Sequence, residues 1–192
     1  MSRFVEVLTE WQHKNLLGVD IKGCLEKIIN NLDAQSGELE FKFTYFINKK
    51  SPVKEMVAPM SYHCTFEGRI EEGNYKFILG VEVPVTTLCP CSKEISENGA
   101  HNQRALIKVK ISYDESEQVW LEDLIELIES CASCPVYPLL KREDEKYVTE
   151  KAWDNPKFVE DVLRDVVVKL RNHPVTVSYT HLRAHETELH LV

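Results

Sequence analysis

Apolar residues recur at helical spacing in two stretches of the first 34 positions. Phe4, Val5, Leu8 and Trp11 are placed on one helical face, and Ile21, Leu25, Ile28, Ile29 and Leu32 on another after Gly18. The period then shortens to two. Leu39, Phe41, Phe43, Tyr45 and Ile47 alternate with mostly polar neighbours, and Tyr62, Cys64 and Phe66 continue the pattern. Tyr75, Phe77, Leu79, Val81, Val83 and Val85 predict a longer strand, and Ala105, Ile107, Val109, Ile111 and Tyr113 another. Such alternation buries one face of a sheet, which predicts antiparallel strands covered on one side by helices. Glu71-Glu72-Gly73-Asn74 reads as the turn between the second and third strands. Helical spacing returns after residue 118 with Leu121, Leu124, Ile125 and Ile128. A last helix is predicted with Asn155 as its cap and Pro156 in its first turn. Its stripe is Phe158, Val159, Val162, Leu163, Val166, Val167 and Leu170. Helices before and after an antiparallel sheet define an α+β fold.

From Val177 the chain reads VSYTHLRAHETELHLV, with no clear period. Its first part, VSYTHLRAHET, resembles the conceptual translation of a transposase-type sequencing adapter. Residues 177–192 are therefore expected to be a non-native tail, with an irregular biological C-terminus as the alternative.

Length and composition narrow the function. A chain of 192 residues makes one domain or two small ones, and 43% apolar with 28% charged residues is ordinary for a packed protein. Lys and Arg number 23 against 31 Asp and Glu, a net charge of −8. That balance argues against a general nucleic-acid or anionic-membrane binder, which needs a basic surface. No apolar run approaches the roughly 20 residues of a membrane-spanning helix, and charged residues interrupt the N-terminal stretch MSRFVEVLTEWQ. The cytoplasm is the expected compartment. There, the six cysteines at 24, 64, 89, 91, 131 and 134 are expected to be thiols or metal ligands rather than a disulfide framework.

Chemistry concentrates in two segments. The first, PVTTLCPCSKEISENGAHNQR, leaves a strand at Pro84 and re-enters one after His101, so Cys89, Cys91 and His101 flank one loop. Thiolate with imidazole is the ligand set of zinc and its neighbours. Of Cys89 and Cys91, only one is expected to face a given site. The second segment, PLLKREDEKYVTEKAWDNPKFVE, packs Lys141, Arg142, Glu143, Asp144, Glu145 and Lys146 together and ends in Glu160 on the polar side of the last helix. The C-x-x-C at Cys131 and Cys134 lacks a second pair or a thioredoxin-like context and reads as buried thiols; Cys24 and Cys64 lie on apolar faces and read as core.

The stretches CPCSKEIS…GAHNQR and YPLLKREDEKYVTEKAWDNPKFVED, with MSRFVE at the start, resemble type IB GTP cyclohydrolase from about residue 1 to about residue 174. The resemblance implies a tunnelling fold and a homotetramer with sites at subunit interfaces. It also implies conversion of GTP and water to 7,8-dihydroneopterin triphosphate and formate, the entry to tetrahydrofolate synthesis. The implied metal is zinc or manganese, held by Cys89, His101 and Glu145, which are also the implied catalytic residues. Glu160 falls on the glutamate that anchors guanine. Arg104, Lys141 and Arg142, chosen by proximity to the motifs, are the expected triphosphate cations.

On this resemblance, residues 1–115 correspond to one half of the fold without its first strands, and 116–176 to the start of the second half with its helices. The 192-residue chain is then expected to be a fragment with little or no cyclohydrolase activity. His181, His185 and His190 are not expected to replace missing ligands. Two competing readings are a non-catalytic zinc-binding or assembly module, and a same-fold nitrile reductase of the queuosine pathway. The latter uses a nucleophilic cysteine with NADPH, and no match to its nicotinamide-binding motif is present.

Overall fold

The computed structural model describes residues 3–11, 18–114, 117–173, 175 and 177–187. The side chains of Phe4, Leu8, Trp11, His181 and His185, and all of His190, lie outside the described set. Two helices, α1 (Arg3–Trp11) and α2 (Gly18–Leu32), precede three long strands, β1 (Gly37–Lys50), β2 (Val57–Glu71) and β3 (Asn74–Leu88). Glu72 and Gly73 turn between β2 and β3 with φ of 51° and 79°, the left-handed pair that a two-residue turn needs to match the twist of its strands. After the short helix α3 (Pro90–Ile95) come β4 (Asn102–Tyr113), α4 (Leu121–Glu129), β5 (Cys134–Pro135), α5 (Arg142–Asp154), α6 (Val159–Arg171) and β6 (Val177–Thr187). The sheet runs β1-β2-β3-β4-β6, each neighbour antiparallel. The β2 side of β3 is paired only as far as Glu82, and β5 pairs further along at Val85 and Thr86.

The alternation seen in the sequence becomes one buried face. Tyr62 and Cys64 of β2, Leu79, Val81, Val83 and Val85 of β3, and Ala105, Ile107, Val109 and Ile111 of β4 join one core cluster. Covering them are Ile21 of α2, Leu124, Ile125 and Ile128 of α4, and Val162, Val166 and Leu170 of α6. Each such side chain contributes roughly 1.5–3 kcal/mol by leaving water. The α2 helix sits so close to the sheet that a Cβ at Gly68 of β2 would fall 2.7 Å from Ile21 Cγ2.

The first helix departs from expectation. Val5 is 47% exposed, while Val7 is 1% exposed and packs on Cys24 and Ile28 of α2. Two positions are about 200° around a helix, so the face that meets α2 is not the one Val5 marks. A nine-residue helix with apolar residues on several sides does not declare its buried face.

The opposite face of the sheet is polar but ordered. Lys110 of β4 lies opposite Gly80 of β3, and its stem passes the space a Cβ would take, 3.4 Å from Cγ. It crosses β3 to reach Glu67 of β2 at 2.8 Å and Glu40 of β1 at 3.6 Å. Glu67 is 2% exposed and also accepts from Arg69 Nε at 2.5 Å. Burial pushes the Glu67 carboxyl up, but hydrogen bonds from Lys110 and Arg69 outweigh this and hold it below the usual carboxylate range.

The aperiodic C-terminal stretch forms β6 along β4, with a register shift between Lys110 and Ile111, so the irregular alternative does not hold for Val177–Thr187. An edge strand offers a row of backbone donors and acceptors to any extended segment, so this pairing needs no hydrophobic period.

At the end of the sheet where β1 turns into β2, Asp144 of α5 ties the connecting turn. Its Oδ1 accepts from Val53 and Lys54 N–H at 2.8 and 3.0 Å, and its Oδ2 from Lys141 N–H at 3.0 Å. Burial raises the carboxyl, but those backbone donors outweigh it and pull it down to about 2. Such a depressed acid stabilises the fold above its unfolded pKa and loses that contribution as pH falls through about 2. Asp144→Ala should therefore lower the melting temperature at pH 7, and the gap to wild type should narrow as pH drops below about 4. Gly68→Ala should cost about 1–3 kcal/mol in chemical denaturation, because the buried Ile21 must yield.

Candidate functional site

The β3–β4 ladder ends at Leu88 opposite Asn102, and one further bond, Cys89 N–H to His101 O at 2.9 Å, closes it. Thr87 faces Gln103 in that register. Positions 87, 89, 101 and 103 thus continue the face that carries Val85 and Ala105 in the core. Past this point the chain turns. Cys89 caps α3, with Pro90 in the first turn, and its Sγ accepts from Ser92 N–H at 3.4 Å. Its carbonyl takes the first helical bond, from Lys93 N–H at 3.1 Å.

Cys89 and Cys91 do part company, Cys89 half-buried and Cys91 exposed. Strand alternation is not the reason, because residues two apart share a face. The chain enters a helix at Pro90 and carries Cys91 away.

The third wall comes from the connection between α5 and α6. Lys157 N–H donates to Leu88 O at 3.0 Å, an isolated bridge onto the end of β3. Lys157 Nζ donates to Cys131 O at 2.8 Å and to Asp165 at 2.7 Å, and Asn155 Nδ2 donates to Ala132 O at 2.9 Å. These bonds correct the expected helix start. Asn155 closes α5 as its C-cap, and α6 begins only at Val159, because the backbone at Lys157 is committed to β3.

The result is an open cleft of about 520 Å³. Cys89, His101, Thr87 and Gln103 line its strand side; Lys157, Phe158, Val159 and Glu160 line its helix side, with Ala184 of β6 beside them. Of the expected site residues, the fold brings Cys89, His101 and Glu160 together. Thr87 and Gln103 join them unexpectedly, although their parity with Cys89 and His101 marks them for the same face. Lys157 had no sequence signal, and Phe158, expected on the core stripe, is instead 38% exposed at the start of α6 because the bridge at Lys157 delays the helix.

The other expected residues lie elsewhere. Glu145 is exposed near the start of α5 and does not line the cleft. The end of α5 reaches the cleft loop, where Lys93 donates to Trp153 O and sits 4.8 Å over the Trp153 ring. Glu145 is eight residues back, roughly 12 Å along the axis at 1.5 Å per residue. Lys141 and Arg142 are exposed at the same far end. Arg104 pairs with Thr86, so it projects from the face opposite the cleft. Among the described residues, no group of three or more His, Cys, Asp or Glu is placed to hold a metal. Cys89 and His101 fit as two donors of a thiolate–imidazole site, and the expected trio with Glu145 is not assembled within one chain.

The chain is an α+β protein whose antiparallel sheet and covering helices bring a thiol, an imidazole and a carboxylate around one cleft. A family model described as Type I GTP cyclohydrolase folE2 matches residues 1–190. The chain belongs to that family. The match runs through the adapter-like stretch and lends that reading no support. The chain is 49% identical over 172 residues to a protein of Geobacter sp. (strain M21) named GTP cyclohydrolase FolE2, covering 90% of this chain and 63% of that one. Proteins of the same name from Thermosipho africanus and Methylobacillus flagellatus are 50% and 48% identical, over 90% and 94% of this chain and 66% of each relative. The chain thus spans a little under two thirds of the length of these curated relatives. Among the described residues, no helix is long and apolar enough to cross a membrane.

The remaining thiols are packing groups. Cys24, Cys64, Cys131 and Cys134 are all buried. Burial pushes Cys64 up to about 12 and raises Cys131 and Cys134 as well. In the folded, metal-free chain, a disulfide reagent should titrate Cys91 and Cys89 quickly and the other four only after unfolding. Colorimetric thiol counting with and without denaturant checks this.

Proposed function

We propose that the chain is a metal-dependent GTP cyclohydrolase of the type IB kind. It opens the guanine ring at carbon 8 and releases formate and 7,8-dihydroneopterin triphosphate, at the entry to tetrahydrofolate synthesis. The observation that carries the reading is the single cleft that gathers Cys89, His101 and Glu160. The family match and the shared name of the relatives support it.

Glu160 is the guanine anchor. Its carboxylate accepts from the ring N–H and the exocyclic amine at one edge of the base. Adenine lacks that donor pair and leaves the carboxylate unsatisfied, which is a strong basis for rejection. Carbon 8 lies at the opposite end of the purine, so a base held at Glu160 directs it across the cleft toward Cys89 and His101. Thiolate, imidazole and the Glu145 carboxylate are the donors for zinc or manganese. A divalent metal bound there supplies Lewis acidity that lowers the pKa of water from 15.7 toward ~7.

Glu145, Lys141 and Arg142 form a second half-site at the start of α5. In this reading they meet the cleft of a neighbouring copy, in a homotetramer in the cytoplasm. Lys141 and Arg142 offer cations to the triphosphate despite the net negative charge, and Arg104, on the face opposite the cleft, has no part in it.

Metal analysis and GTP binding separate the roles, with formate release and pteridine fluorescence reporting turnover. Cys89→Ala should lose bound metal and still bind GTP. Glu160→Ala should keep its metal and bind GTP about 10- to 100-fold more weakly, the range for a lost charged hydrogen-bond pair. Wild-type metal content in the first variant together with wild-type GTP affinity in the second would sink the assignment.

A further inference from the structure

We infer that Ser92 is a positioning residue that sets Cys89 and His101 against each other across the cleft. The inference rests on the metal reading proposed above and concerns how the two donors are held. In a continuing antiparallel ladder, Cys89 and His101 would exchange two backbone bonds. Only one is made, Cys89 N–H to His101 O at 2.9 Å. The Cys89 carbonyl is taken by α3, accepting from Lys93 N–H at 3.1 Å. The His101 N–H is left needing another acceptor, and Ser92 Oγ provides it at 2.9 Å. The same residue's N–H donates to Cys89 Sγ at 3.4 Å.

Ser92 therefore makes one bond to each partner. The bond to sulfur holds the Cys89 side chain in one direction. The bond from His101 N–H holds the first residue before β4, and with it the origin of the imidazole. Both donors line the cleft, whereas Ser92 is absent from its lining. It acts through its neighbours, as hydrogen-bonding partners of metal ligands do, and loss of such partners typically costs 10–100-fold in metal affinity. The hydroxyl and the N–H are separable. Ser92→Ala removes the bond to His101 and keeps the N–H beside sulfur; Ser92→Thr keeps both.

The test is cobalt titration of the full 192-residue chain, read by the thiolate-to-cobalt charge-transfer band and the visible ligand-field bands, with thermal melting of the metal-free protein in parallel. Ser92→Ala should bind cobalt about 10- to 100-fold more weakly and melt cooperatively within a few degrees of wild type. Ser92→Thr should recover affinity. Cobalt affinity equal to wild type in Ser92→Ala, with Cys89→Ala losing the band, overturns the role of Ser92 and leaves the metal reading standing. Loss of the cooperative melt in Ser92→Ala also overturns it, because the residue then supports the fold as a whole. Failure of Ser92→Thr to recover affinity overturns the dependence on the hydroxyl. Absence of the band in wild type, or its persistence in Cys89→Ala, overturns the metal reading and the inference with it.

Discussion

The antiparallel pairing of β3 with β4 is the constraint on which the rest of the molecule depends. Val81 opposite Val109 and Val83 opposite Ile107 turn one face of both strands toward α4 and α6. The same parity, carried outward, presents Thr87 with Gln103 and then Cys89 with His101. Core and cleft are thus two lengths of one face. The α6 helix spans both, burying Val162, Val166 and Leu170 in the first and presenting Val159 and Glu160 to the second. Hydrophobic burial that fixes the strands and helix also fixes the spacing of Cys89 and His101 from Glu160.

Much of this was legible in the chain. A period of two marks a half-buried strand and a period of 3.6 a half-buried helix, so β1 to β4, α2, α4 and the stripe of α6 could be read directly. Cys89 and His101 were placed at strand ends by the same alternation. What escaped was decided by contacts remote in sequence. The start of α6 shifted because Lys157 is tied to Leu88, a bond no local pattern announces. Val7 rather than Val5 was buried because α2 chose the face of α1. Arg104 is a different case: its parity with Lys108 and Lys110, opposite to Ala105, was there to be read, and nearness to the His101 motif outweighed it.

The division of the candidate residues follows from the rigidity of α5. This helix of 13 residues carries Trp153 at one end and Glu145 near the other. The Trp153 end is held to the loop of α3 by Lys93, and the other end to the β1–β2 turn by Asp144. With both ends anchored, the helix cannot tilt to bring Glu145 down to Cys89 without breaking one set of bonds. The separation of Glu145 from Cys89 is therefore built into the packing of the single chain.

Lys110 passing over Gly80 bears on how the sheet finds its pairing in the first place. Strands of 12 to 15 residues offer many near-equivalent alignments while the chain is still collapsing. Glu67 tolerates burial only with Lys110 and Arg69 beside it, and Lys110 reaches it across Gly80, the one position of β3 without a side chain. A misaligned sheet would strand that carboxylate in a poorly hydrated site or force the lysine stem into a neighbour, and a buried charge without its partner costs several kcal/mol. The polar face thus works as a proofreader of assembly, penalising wrong alignments that a row of interchangeable valines and isoleucines would accept.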